Sequence, residues 1–191
     1  NGLIRFGDGS KMSSRLGNVT TAMDVIQAVR SATEQSDDAE RDRLVSLGAL
    51  KYELLKYKLG GDIAFGPKGS VSMQGNSGPY LQYALLRAKS ILGKVAAPER
   101  PDMSVLTAGE RTLVRKLALY QHILEQATEN LETHTICTYL YELAGEFNIF
   151  YENNRVVGDE RQDVRLAIVQ EYISTLETGL DVLGIQAPTK M

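Results

Sequence analysis

The chain has 191 residues, 43% of them hydrophobic and 24% charged, with a formal net charge of −3. Lys+Arg and Asp+Glu number 10 and 9 over residues 1–75, and 11 and 15 over the remainder. This is globular composition with room for one or two cores, and neither part has the basic excess of a protein that grips nucleic acid by charge alone.

A short strand is expected over Leu3–Phe6. It opens onto Gly9-Ser10-Lys11-Met12-Ser13-Ser14-Arg15-Leu16-Gly17-Asn18, which sets two cations and three serines between glycines. Donors on a Gly-flanked loop suit phosphate, although a solvated turn would carry the same residues. Thr20 or Thr21 is a candidate N-cap, with Asp24 in the first turn of a helix reaching about Gln35. Ser36–Glu40 reads as an acidic hinge. A second helix follows over Glu40–Leu59, with Leu44, Leu47, Leu50, Leu54 and Leu55 on one face. Turn formers crowd Gly60–Gly78, which reads as an ordered connection holding small strands at Asp62–Phe65 and Ser70–Met73.

Helices dominate beyond Pro79, which suits a first helical turn. Leu81, Ala84, Leu85, Ala88, Ile91, Leu92 and Val95 repeat at three and four. Ala97–Asp102 breaks that helix. A long helix is expected over Ala108–Leu131, with Leu113, Leu117, Tyr120, Leu124, Ala127 and Leu131 inward. Another is expected over Thr135–Tyr151, with Ile136, Leu140, Leu143, Ala144, Phe147 and Phe150 inward. The last covers Glu160–Leu183, with Gly184 at its C-terminal cap and Pro188 beyond. The fold class read from these patterns is mainly α, an antiparallel helical bundle.

Most candidate motifs have plain structural readings. Gly66-Pro67-Lys68 lacks the adjacent Gly-Lys of a phosphate-binding loop. Asn18-Val19-Thr20 matches a glycosylation acceptor by chance. His122 and His134 belong to no cluster at metal-ligand spacing, and Asp37-Asp38 and Asp159-Glu160 read as caps. Cys137, the one cysteine, excludes an internal disulfide and reads as a core residue. No apolar run spans a membrane and no signal-peptide pattern opens the chain, so a cytoplasmic location is expected. Three polar-aromatic segments remain: Asn76–Arg87, Phe147–Val156 and Leu183–Met191. Tyr80, Tyr83, Tyr151 and Arg155 have polar tips or planar faces of the kind that stack on splayed RNA bases, while Leu81, Phe147 and Phe150 read as core.

Together these segments resemble a known family. Lys11-Met12-Ser13-Ser14-Arg15 resembles the KMSKS signature of class I aminoacyl-tRNA synthetases. Gly75–Ala84 resembles the Gly-Asn-Thr-Gly-Pro-Tyr-Leu-Gln-Tyr-Ala segment of arginyl-tRNA synthetases. Phe147–Val156 looks like that family's penultimate helix end. Leu183–Met191 is similar to its closing Leu-Gly-Ile-x-Ala-Pro-x-x-Met. The resemblance covers nearly the whole chain.

It implies that residues 1–75 are the C-terminal end of a Rossmann-type catalytic domain with stem helices, and that residues 76–191 form a DALR-type anticodon-binding domain. It also implies an enzyme that ligates arginine to its tRNA with ATP and Mg2+, via arginyl-adenylate. Lys11, Ser13, Ser14 and Arg15 would act on ATP, with Met12 anchoring their loop. Tyr80, Tyr83, Arg87, Asn148, Tyr151, Arg155 and Met191 would meet the anticodon loop. Ser14 stands where the signature has its second lysine, and the partner motif His-x-Gly-His is absent. The chain alone is therefore expected to be inactive as a ligase, to hold no cofactor tightly and to be a monomer that binds arginine tRNA and no membrane. A free-standing tRNA-binding module without catalysis is the alternative; a helical bundle with no RNA role is a third reading, which the four aligned segments disfavour.

Overall fold

The computed structural model describes residues 4–6, 21–93, 95 and 101–191. The Gly9–Asn18 loop lies outside these residues. Strand β1 (Ile4–Phe6) is followed by helices α1 (Ala22–Ala32) and α2 (Ala39–Leu55), then strand β2 (Ile63–Phe65) and the single turn α3 (Pro67–Ser70). Five helices complete the chain: α4 (Gly78–Leu92), α5 (Ala108–Ala118), α6 (Tyr120–Asn130), α7 (Thr133–Asn153) and α8 (Gln162–Val182). The molecule is mainly helical, as the periodicity predicts.

Local chemistry starts the helices where expected. Thr21 caps α1 in a reciprocal box: its backbone N–H donates to Asp24 Oδ2 at 2.7 Å and its Oγ1 accepts from Asp24 N–H at 3.2 Å. Asp38 Oδ1 caps α2 by accepting from Arg41 N–H at 2.9 Å. Such caps contribute about 1 kcal/mol each. At the far end, Gly184 takes φ +67° after α8, and Ile185 N–H reaches back to the Leu180 carbonyl at 2.8 Å. A side chain would strain that left-handed position.

Strands β1 and β2 run parallel, with Ile4 opposite Ile63 and Phe6 opposite Phe65. Ile63 and Phe65 turn inward and Ala64 outward, the period-two pattern of a strand. With Val29 and Ala49 they form a small core, against which Ile4, Val25, Leu50 and Leu54 are partly buried. The large core lies between α2 and α4–α8 and includes Tyr52, Leu81, Leu85, Leu113, Leu140, Phe147, Leu166, Tyr172 and Leu176.

Helix α2 joins the two cores. Ala49 and Leu54 face the small one, and Tyr52 and Leu55 the large one. The expected leucine face is therefore only half buried, and the buried positions are Asp42, Val45, Ser46, Gly48, Ala49, Tyr52 and Glu53. The Tyr52 hydroxyl reaches Asn76 Oδ1 at 2.5 Å and the Cys137 carbonyl at 3.0 Å. Helices α2 and α4 cross where Gly48 meets Gly78; a Cβ on Gly78 would overlap the Gly48 carbonyl.

Three further expectations need correction. Ser70–Met73 is not a strand: Pro67 starts the turn α3, and Ser70 Oγ donates to the Pro67 carbonyl at 2.9 Å. The long helix over Ala108–Leu131 is two helices that meet at Leu119. The Tyr139 hydroxyl takes the Lys116 carbonyl at 2.9 Å, and the bend lets Tyr120 stack on Tyr139. Leu131, expected inward, is 74% exposed with φ +55°, because it occupies the left-handed position that closes α6.

One buried ion cluster pins α5 to α8. Glu110, in a capping box with Thr107, is completely buried. It accepts from Arg161 Nη2 at 2.5 Å and from Arg165 Nε at 3.0 Å, and Arg165 also pairs with Asp159 at 3.1 Å. Hydrogen bonding from Arg161, opposed by burial, holds the Glu110 carboxyl at about 2. Cys137 is buried, and burial pushes its thiol up to about 12.

Candidate nucleic-acid interface

The candidate interface is one face of α4 and one of α7. Ser77 caps α4, its Oγ accepting from Tyr80 N–H at 3.2 Å while donating to the Ser72 carbonyl. This cap and the close Gly48–Gly78 crossing fix where Tyr80 enters the helix. Tyr80, Tyr83 and Arg87 then fall on one helical face, spaced by three and four residues.

Helix α7 answers with Asn148 and Tyr151, three residues apart. Asn148 Nδ2 donates to the Tyr80 hydroxyl at 2.9 Å. The Arg87 guanidinium lies 5.0 Å from the Tyr151 ring centroid, a cation–π contact. Tyr80 also meets Tyr141 edge-on, with centroids 5.7 Å apart. Burial, then Tyr141, raises the Tyr80 phenol pKa, against the Asn148 hydrogen bond and Arg87. Beneath Tyr151 the rings continue inward: Phe147 lies 19° from the Tyr151 plane, and Tyr172 stacks on Phe147 at 3.8 Å and 8°.

Four of the expected residues, Tyr80, Arg87, Asn148 and Tyr151, thus form one contiguous cluster. Tyr83 joins their face and is 43% exposed. Arg155 turns away, its Nε donating to the Val157 carbonyl at 3.0 Å at the foot of α7. Met191 sits elsewhere, lining a groove of about 610 Å3 with Ser36, Asp38 and Arg41 at the α1–α2 junction. The tail is led there by Gln82, whose Nε2 donates to the Gln186 carbonyl at 2.7 Å and the Leu44 carbonyl at 3.1 Å, and by Lys51 on the Gly184 carbonyl. Lys11, Met12, Ser13, Ser14 and Arg15 lie outside the described residues.

Sequence reasoning missed Tyr141 and Tyr172. Tyr141 is seven residues before Asn148 and shares its helical face; Tyr172 falls on the apolar stripe of α8 between Val169 and Leu176, and periodicity could have found both. Among the described residues no His, Cys, Asp and Glu cluster could hold a metal ion, and no helix is long and apolar enough to cross a membrane. What the α4–α7 face offers is flat aromatic and guanidinium surface with polar tips. Such surface fits planar rings by stacking and edge hydrogen bonds.

Residues 81–191 match the family model described as DALR anticodon binding domain. The chain is 32% identical to the arginine--tRNA ligase of Bacteroides fragilis, aligned over all of this chain and 35% of that protein. It is 34% identical to that of Thermus thermophilus over 96% of this chain and 34% of the relative. The solved structure of Thermus thermophilus arginyl-tRNA synthetase superposes with a TM-score of 0.86 at 32% identity, covering 98% of this chain and 34% of that one. The chain spans about a third of the length of these relatives.

Proposed function

Because this chain belongs to the DALR anticodon-binding domain family, we propose that it is the C-terminal part of an arginyl-tRNA synthetase and that its helical bundle holds the anticodon loop of arginine tRNA. The observation that carries the reading is the α4–α7 face, where Arg87 lies over Tyr151 and Asn148 orients Tyr80; Arg87, Asn148 and Tyr151 fall within the segment that the family model matches, and Tyr80 immediately precedes it. Single-stranded bases stack on such faces without needing a basic surface, which suits a chain of net charge −3. Tyr83 extends the platform. Arg155 is a proposed contact at the foot of α7, and Met191 a proposed contact apart from the platform, at the α1–α2 junction.

In the whole protein, the arginine carboxylate attacks the α-phosphorus of ATP, supplied with Mg2+, and pyrophosphate leaves. Lys11, Ser13, Ser14 and Arg15 would set positive charge and hydroxyl donors against the phosphate charge that builds in that step. Met12 would anchor their loop. We divide the chain near residue 75, which would put this loop and the stem helices with the catalytic part.

Titration with a synthetic arginine anticodon stem-loop tests the reading. Tyr151→Ala should weaken binding about tenfold, since stacking on one base is worth about 1–3 kcal/mol, and should leave a loop-free RNA duplex unaffected. Equal losses on both RNAs would exclude stacking. The chain by itself should catalyse no arginine-dependent ATP–pyrophosphate exchange.

A further inference from the structure

Tyr172 lies on α8, its ring fully buried and flat against Phe147. The stack accounts for the ring. It does not account for the hydroxyl, which is buried and has no hydrogen-bond partner among the described residues. A hydroxyl buried without a partner costs free energy, and phenylalanine would keep the stack and remove that cost. Helix α8 therefore holds a polar atom where folding gains nothing from it.

The rings place Tyr172 directly behind the proposed interface. Phe147, on which it stacks at 3.8 Å, lies 6.2 Å from the Tyr151 ring and precedes Asn148, which holds the Tyr80 hydroxyl. Among the described residues the Arg87 guanidinium rests on the Tyr151 ring and makes no hydrogen bond or ion pair. A flat cation resting on a ring is easily exchanged for another flat group.

We infer that Tyr172 is a specificity-determining residue of the interface: an unpaired RNA base takes the place of Arg87 against Tyr151 and accepts a hydrogen bond from the Tyr172 hydroxyl on a ring nitrogen or carbonyl oxygen. The inference rests on the proposed anticodon-loop function. It adds to stacking, which tolerates any base, a buried donor that distinguishes base edges. Asn148 then acts as a positioning residue, since its bond fixes the Tyr80 hydroxyl beside the incoming edge.

Tyr172→Phe separates this role from a structural one, because the two predict opposite signs of effect. The variant should melt about 2–4 °C higher than the wild type, having lost an unpaired buried hydroxyl. It should also bind the arginine anticodon stem-loop about tenfold more weakly. Stem-loops carrying one abasic nucleotide locate the contact: at a single loop position, wild type and Tyr172→Phe should bind with equal affinity. Wild-type affinity in Tyr172→Phe, or a lower melting point, overturns the inference and makes the hydroxyl a structural group. If the wild type itself fails to bind the stem-loop, the proposed function falls and takes the inference with it.

Discussion

The small core around β1 and β2 and the large core of α4–α8 are built on different principles. The large one is made of helices that each bring a long apolar stripe, locked by a buried ion cluster at Glu110 and layered aromatic rings at Phe147 and Tyr172. Among the described residues the small one rests on four buried residues and a two-stranded parallel sheet of three residues per strand. Two short parallel strands are not stable alone, and parallel sheets are normally covered on both faces. The small region therefore depends on α2, which it shares with the bundle. The bundle's own elements hold most of its stability.

The largest expected effect is on the bundle's ion cluster. Glu110→Ala leaves Arg161 and Arg165 without their shared carboxylate and should cost about 3 kcal/mol, read as a lowered urea midpoint. The pH dependence has a definite sign. The Glu110 carboxyl is held at about 2, below its ordinary 4.5. Its contribution is complete above pH 4.5 and is lost as the pH falls from 4.5 towards 2. Glu110→Gln should lack this part of the acid limb.

A smaller effect, felt by both regions, is expected at the α2–α4 crossing. Gly78→Ala forces a Cβ into the Gly48 carbonyl and should cost about 2 kcal/mol while shifting both regions' hydrogen-exchange protection together. The smallest effect on the bundle should come from Phe65→Ala. It empties the centre of the small core, so amides of α1 and β2 should lose protection while the bundle's melting transition moves by less than about 0.5 kcal/mol. A matching fall in the bundle transition would show that the two regions unfold as one.

Some expectations were legible because they rest on local chemistry. The Thr21–Asp24 box, Asp38, Gly184 and the three-and-four spacing of Leu81–Ile91 each act through neighbours in sequence, and each appears where the residues place it. The α2 leucine face was misread because a helix between two cores has no single apolar side. The break at Leu119 was hidden because the contacts beside it come from Tyr139, distant in sequence, whose hydroxyl donates to the Lys116 carbonyl and whose ring stacks on Tyr120.

The interface divides in the same way. From sequence alone come the residue types, the helical face shared by Tyr80, Tyr83 and Arg87, and the resemblance that names a nucleic-acid role. Those depend on spacing along one chain segment, which helical geometry converts directly into position. Only the tertiary structure could pair Asn148 with Tyr80 and Arg87 with Tyr151, carry Met191 away to the α1–α2 junction, and leave the Tyr172 hydroxyl buried without a partner among the described residues. Those facts arise where separate helices meet, and which groups meet there is set by how the bundle closes.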